Sequence, residues 1–136
     1  MKTLFSDKGV AALEMALIMP VLVILTFGLV EFGVLIYNQQ VITNAAREGA
    51  RRGIVQEIPR VDVATIQDTV HQYADAHLIT FSPTKPLPSI PAFTPCGGFG
   101  DNLNVTVTYP YTFLMIPFLP MFDGLTLTST SVMKCE

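Results

Sequence analysis

The sequence predicts an α+β membrane protein, in which a long N-terminal transmembrane helix continues into a small domain with a second helix and an antiparallel β-hairpin. The chain has 136 residues, enough for one small domain and an anchor. Residues 10–37 contain only two charged side chains, Glu14 and Glu31. Two segments near the C-terminus alternate polar and apolar residues, which is typical of half-buried strands.

The composition argues against several classes of function. Only 14% of the residues are charged, against about a quarter in soluble domains, and the formal net charge is −3. Apart from Arg47, Arg51 and Arg52, no lysine or arginine cluster indicates a nucleic-acid surface. The chain has no ordered Ser/His/Asp set, no carboxylate pair in a motif and no phosphate-binding glycine loop. We therefore expect no enzyme, no catalytic residue, no cofactor and no nucleic-acid partner.

Residues 10–37 are expected to form a transmembrane anchor. A hydrocarbon core of ~30 Å needs about 20 helical residues, and this segment is longer. It also exceeds the apolar core of a secretory signal peptide, which has about 7–15 residues, and no small-x-small cleavage site closes it. Glu31 is expected near the second membrane surface, because it lies about 25 Å beyond Glu14 along a helix.

Glu14 is the most informative residue of the anchor. A carboxylate in an apolar helix costs roughly 2.5–3.5 kcal/mol near the membrane centre and less near its edge. It lies five residues after Gly9, which ends a short leader containing Lys2 and Lys8. Cleavage after Gly9 would place a positive amine on Val10, about one helical turn from the carboxylate. The alternative is that Glu14 simply lies at the level of the lipid headgroups.

The Gly9–Glu14 arrangement resembles the type IV prepilin signal, in which a basic leader ends in glycine and glutamate is the fifth mature residue. The similarity extends along residues 11–17, Pro20, 27–28, 31–33 and 44–51. In these residues the chain resembles the TadE-like proteins, minor pilins or pseudopilins of the tight-adherence (Flp) pilus system. The resemblance covers about residues 8–53. Met15 departs from it, because Flp-type pilins often have an aromatic residue after the glutamate.

The resemblance implies that a prepilin peptidase cuts between Gly9 and Val10, so that residues 1–9 are a leader peptide. It implies that Glu14 acts in subunit registration by pairing with a neighbouring amine. The implied function is that of a minor pilin or pseudopilin needed for assembly of a tight-adherence (Flp, type IVb-like) pilus in bacterial adhesion. The implied partners are the peptidase, other pilin or pseudopilin subunits, the inner-membrane assembly platform and membrane lipid. The alternative is an uncleaved single-pass anchored binding or scaffold module with an extracytoplasmic domain.

The resemblance also orients the chain in the membrane. Positive charges on the two sides of the anchor nearly balance, so they leave the topology open. The resemblance implies a cytoplasmic N-terminus, with residues 38–136 outside the inner membrane. Cysteines outside the cytoplasm usually pair, so we predict a disulfide between Cys96 and Cys135. A metal site is the rival interpretation, but it needs His71 or His77 and lacks the usual short Cys-Cys spacing, so no metal is expected.

Beyond the membrane, the helix is expected to continue as a stalk to Arg52, with Gly53 as its C-terminal cap. Small residues recur in this stalk at a spacing that places them on one side of a helix. They are Ala45, Ala46, Gly49, Ala50 and Gly53. This helix-packing face is expected either to pack on the protein's own domain or to contact a neighbouring subunit.

The rest of residues 38–136 is predicted to form the small domain. Pro59 is expected to open a second helix at about 61–76, and a connector rich in proline and glycine is predicted at 83–100.

Two strands are predicted after the connector, at about 103–109 and 125–133. They are expected to pair as an antiparallel hairpin. The apolar segment 111–122 between them is predicted to be either a buried loop or an interaction surface.

Overall fold

The computed structural model describes residues 7–82, 84–113 and 124–136. Its elements, in chain order, are helix α1 (Asp7–Ile54), helix α2 (Val63–His77), strand β1 (Asn102–Pro110) and strand β2 (Thr126–Lys134). The predicted α+β class is confirmed, with a long apolar helix, a second helix, one antiparallel strand pair and one disulfide.

Helix α1 has 48 residues and is about 72 Å long at 1.5 Å per residue. It contains Pro20 and continues from there to Ile54. Residues 9–30 are exposed on every side, whereas the helix packs against the domain from Glu31 onward. Within the described residues, α1 is the one helix long and apolar enough to cross a membrane, so the structure is compatible with a membrane anchor.

Helix α2 begins at Val63, two residues later than predicted, so the expectation that Pro59 opens it is wrong. The reason is the N-cap, because Asp62 accepts a hydrogen bond from the Thr65 N–H at 2.9 Å. Hydrogen bonds from the Thr65 hydroxyl and N–H also lower the pKa of Asp62. The helix buries one face, which consists of Ile66, Val70 and Ala74.

The two strands pair over nine residues each, with Asn102 opposite Lys134 and Pro110 opposite Thr126. In β1 every odd-numbered residue is buried and faces α1 and α2, as the alternation of the sequence predicted. In β2 Leu127 and Ser131 are buried on the same side. The even-numbered side chains of both strands form the outer face of the sheet.

The connector follows the edge of β1. Ser89 forms an isolated antiparallel bridge with Thr108, so this connector has one point of strand pairing. The predicted disulfide is confirmed, since Cys96 is bonded to Cys135 with 5.9 Å between their Cα atoms. Most of the apolar segment 111–122 lies outside the described residues, and the choice between its two interpretations stays open.

Candidate functional site

The predicted cleavage site and the acidic residue lie together at the exposed end of α1. Gly9, Val10 and Glu14 all belong to the first turns of the described helix and are exposed. Residues 1–6 of the predicted leader lie outside the described residues. Since α1 is helical through Val10 and Glu14, the main-chain nitrogen of Val10 lies about one turn from the residue that carries the carboxylate.

Glu14 makes no hydrogen bond or ion pair with any described residue of its own chain. Its neighbours along the helix are apolar and equally exposed, including Leu13, Leu17 and Ile18. A carboxylate in such surroundings is destabilised unless a positive group lies near it. Among the side chains that the structure describes, none with a positive charge forms an ion pair with Glu14.

The glycines of α1 fall into two groups. A Cβ atom added at Gly9, Gly28 or Gly33 would meet nothing within 4 Å. A Cβ atom at Gly49 would lie 2.4 Å from Val70 Cγ2, and one at Gly53 would lie 2.5 Å from a Leu103 methyl group. A side chain at position 49 or 53 would therefore force the packed side chains around it to shift, whereas no packing contact in the described chain restricts position 9.

The small residues of the stalk pack inside the protein's own domain, which is the first of the two alternatives that the sequence left open. Ala45, Ala46 and Ala50 are fully buried, and Gly49 and Gly53 lie against α2 and β1. Because these two glycines have no side chain, Ile66 and Val70 of α2 pack closely against α1. The face is covered, so it offers no surface to a neighbouring subunit.

A contact that sequence reasoning missed joins the anchor to the domain. Glu31 is only 3% exposed, and Tyr111 lies beside it. The Tyr111 hydroxyl lies 3.4 Å from both the main-chain oxygen and Oε1 of Glu31. The Phe113 ring packs edge-on against Tyr111, with 5.0 Å between ring centroids. No local pattern indicates this contact, because the two partners are 80 residues apart.

Asn38, seven residues after Glu31 on α1, also joins this helix to the domain. Its side chain is fully buried, and its amide donates to the Ile79 main-chain oxygen at 2.6 Å. Its Oδ1 accepts from the Ile79 N–H at 3.0 Å. The side chain thus satisfies both main-chain groups of a residue just after α2, which stabilises the position of that segment.

Tyr111 makes the stability of the domain depend on pH in the alkaline range. Burial first, and then the charge of Glu31, raise the pKa of Tyr111 from 10.0 to about 12. The folded protein therefore keeps a proton that the unfolded chain loses, and this contribution to stability is fully present below pH 10.0. We expect stability to fall as the pH rises through about 12, and Tyr111→Phe to remove that part of the fall.

Urea unfolding of the full chain in detergent at a series of alkaline pH values measures this effect. Tyr73→Phe is the matched control, because Tyr73 lies on α2 and stacks on His77. Equal alkaline losses in the wild type and the Tyr111→Phe variant would contradict the prediction.

The two histidines, His71 and His77, lie on α2. His77 Nδ1 lies 2.8 Å from the Tyr73 main-chain oxygen, and His71 is half-buried. Within the described parts of the chain, no group of three or more histidine, cysteine, aspartate or glutamate side chains is placed to hold a metal ion. Both cysteines are used in the disulfide.

The comparisons with known proteins concern α1. The family model described as TadE-like protein matches residues 9–51. No curated protein and no solved structure gives a significant match. The matched segment begins at the glycine of the predicted cleavage site, includes Glu14 and ends in the last turn of α1. Over residues 9–51, about a third of its length, the chain is therefore similar to the TadE-like proteins.

Proposed function

We propose that this chain is a minor pilin or pseudopilin needed for assembly of a tight-adherence pilus. The observation that carries the proposal is the family match, which starts at Gly9 and extends along α1 through Glu14. TadE-like proteins are typically structural rather than enzymatic, which agrees with a role in assembly.

In this proposal residues 10–30 of α1 lie in the inner membrane, with the N-terminus in the cytoplasm. They are exposed on every side, and at 1.5 Å per residue they span about 30 Å, which matches the hydrocarbon core. The domain that begins at Glu31 then lies outside the cytoplasm. That side of the membrane agrees with the Cys96–Cys135 disulfide, since disulfides persist in oxidising compartments.

A prepilin peptidase removes the leader by cutting between Gly9 and Val10. Gly9 supports this step, because a larger side chain there would meet nothing in the described fold. A glycine in a helix costs about 1 kcal/mol relative to alanine. No packing contact in the described fold requires this glycine, and the proposal assigns it to recognition of the leader by the peptidase.

The new amine on Val10 and the carboxylate of Glu14 then supply the charge pairing between subunits. Glu14 has no partner among the described residues of its own chain, and the small-residue face is buried. The proposal assigns lateral contact with another subunit to the exposed apolar surface of residues 10–30 and to Glu14 within it. An ion pair in an apolar environment is strong when both charges are matched, which favours one axial register between neighbours.

Substitution of Gly9 by leucine tests the proposal. We expect the variant to accumulate as the full-length chain and to lose surface pili, because a bulky residue before the cut blocks the peptidase. The wild-type chain is expected to have a mass that corresponds to a start at Val10. Intact-mass spectrometry of membrane fractions and electron microscopy of the cell surface measure the two outcomes.

Gly28→Leu is the matched control, since a Cβ atom at Gly28 also meets nothing within 4 Å. It adds the same side chain to the same helix, far from the cut, and its product should start at Val10. A wild-type chain that keeps its first residues in cells with an active peptidase would contradict the proposal. That result would favour an uncleaved, membrane-anchored binding module.

A further inference from the structure

We infer that the outer edge of β2 binds one extended segment of a different polypeptide, which adds a strand to the sheet. We define the β2 edge as the outward main-chain N–H and C=O groups of five residues. These residues are Thr126, Thr128, Thr130, Val132 and Lys134. The inference goes beyond the proposed role of α1, because it concerns the domain.

The hydrogen bonds of β1 show which groups of β2 face outward. The Thr108 N–H and C=O both bond to Ser89, at 2.9 and 2.8 Å, so they face away from β2. Thr108 is opposite Thr128, and in an antiparallel pair opposite residues are either both bonded to each other or both turned outward. The main chain of Thr128 therefore faces outward, and so do those of the other even-numbered residues of β2.

A second contact supports this assignment. Gln39 Nε2 donates to the Thr128 main-chain oxygen at 3.1 Å, which requires that oxygen to face away from β1. In the described part of the chain, Gln39 is the side chain that bonds to the β2 edge, and no strand pairs with it. The bond is exposed, so an incoming strand can replace it at little cost.

The β2 edge lacks several of the usual features that prevent strand addition. It contains no proline, its nine-residue register with β1 is unbroken, and its one charged residue, Lys134, lies at the far end. The outward side chains are mostly threonine, and Val132 is 60% exposed. β-Branched, uncharged residues on an open edge favour pairing with another strand.

By contrast, the opposite edge of the sheet, along β1, is covered by the connector. Ser89 pairs with β1, and the residue before it, Pro88, has no N–H group to offer to a further strand. Pro86 and Pro91 add the same restriction on either side. A sheet with one open edge and one covered edge cannot grow by repeated addition of copies of itself. It can therefore accept a single strand, at the open edge.

The spacing of the groups identifies the kind of partner. Alternating N–H and C=O groups along about 30 Å are complementary to an extended main chain and to little else. A strand that covers Thr128, Thr130 and Val132 meets no charge, so its own outer side chains are expected to be uncharged and partly apolar. The partner is thus an uncharged extended segment of a protein on the same side of the membrane.

A second copy of β2 is a poor partner for geometric reasons. β2 runs in the same direction as α1, since Thr128 lies beside Gln39 and the Glu136 N–H bonds to the Ile54 oxygen. If α1 anchors two copies in one membrane, as proposed above, their β2 strands point the same way. The symmetric antiparallel pairing of two β2 edges is then impossible.

Photocrosslinking from Val132 in the full-length chain, in pilus-producing cells, tests the inference. The probe is benzoylphenylalanine at position 132, combined with either Thr130→Pro or Thr130→Ala. Proline removes the outward N–H but leaves the bonds to β1, whereas alanine keeps the N–H and removes the side chain. We expect a crosslink to a different polypeptide that falls by about tenfold with proline and stays within about twofold with alanine.

Each other result would overturn the inference. A crosslink to a second copy of the chain, a crosslink within the chain, no crosslink, or equal yields from the proline and alanine variants would all do so. Formation of the Cys96–Cys135 disulfide and an unchanged thermal midpoint show that each variant is folded. Processing at Gly9 is read separately from the mass of the chain, so a failure here is distinct from a failure of the proposed function.

Discussion

Replacing both Cys96 and Cys135 with serine is expected to lower the free energy of unfolding of the domain by about 4 kcal/mol. The disulfide closes a loop with a sequence separation of 39 residues, so its removal gives the unfolded chain much more conformational freedom. In the folded state it joins the end of the connector to the residue after β2. Both cysteines are buried, so the folded protein also loses a packed contact.

Thermal and chemical unfolding of the full chain in detergent measure this prediction. The midpoint of thermal unfolding should fall by roughly 15 °C or more. The wild type treated with a reductant should approach the double variant, and the variant itself should not respond to the reductant. A loss below about 1 kcal/mol would show that the bond contributes little beyond the hydrogen bonds around it.

Replacing Gly49 with alanine is expected to destabilise the domain by about 2 kcal/mol. The new Cβ atom would lie 2.4 Å from Val70 Cγ2, inside a packed core, and such overpacking costs typically 1–3 kcal/mol. The stiff, β-branched side chain of Val70 cannot turn aside within the helix. The gain in helix propensity, about 1 kcal/mol, offsets only part of the cost.

A double-mutant cycle with Val70→Ala shows whether this contact is the cause. The double variant should lose less stability than the sum of the two single variants, because alanine at 70 makes room for the new methyl group. Gly33→Ala is the control in the same helix, since a Cβ atom there meets nothing within 4 Å. Additive losses, or an equal loss in the control, would contradict the explanation.

Much of the fold follows from local patterns. A long apolar segment with few charged residues predicts α1. The alternation of polar and apolar residues predicts which side of β1 is buried. The predicted start of α2 was about two residues too early, because Asp62 caps the helix by accepting a hydrogen bond from the Thr65 N–H. Predicting the bond between Cys96 and Cys135 required only an expectation about the cellular compartment, because the chain contains two cysteines.

The contacts that depend on topology were not predictable in this way. Tyr111 reaches Glu31 only because β1 ends beside the point where α1 enters the domain. The burial of Gly49 and Gly53 depends on which face of α1 receives α2, and the sequence left two possibilities. Ser89 pairs with one edge of β1 and β2 pairs with the other, so the outer edge of β2 has no strand beside it among the described residues. No periodicity in the sequence indicates this arrangement.

If α1 is the membrane anchor proposed above, its continuity determines how the domain is held relative to the bilayer. The helix runs without interruption from the exposed residues 9–30 to the buried residues around Asn38. Every residue of that stretch adds 1.5 Å of height and a rotation of about 100°. In the proposed anchor, the number of residues between Glu14 and Glu31 therefore sets the direction in which the sheet faces relative to Glu14, as well as the height of the sheet above the lipid.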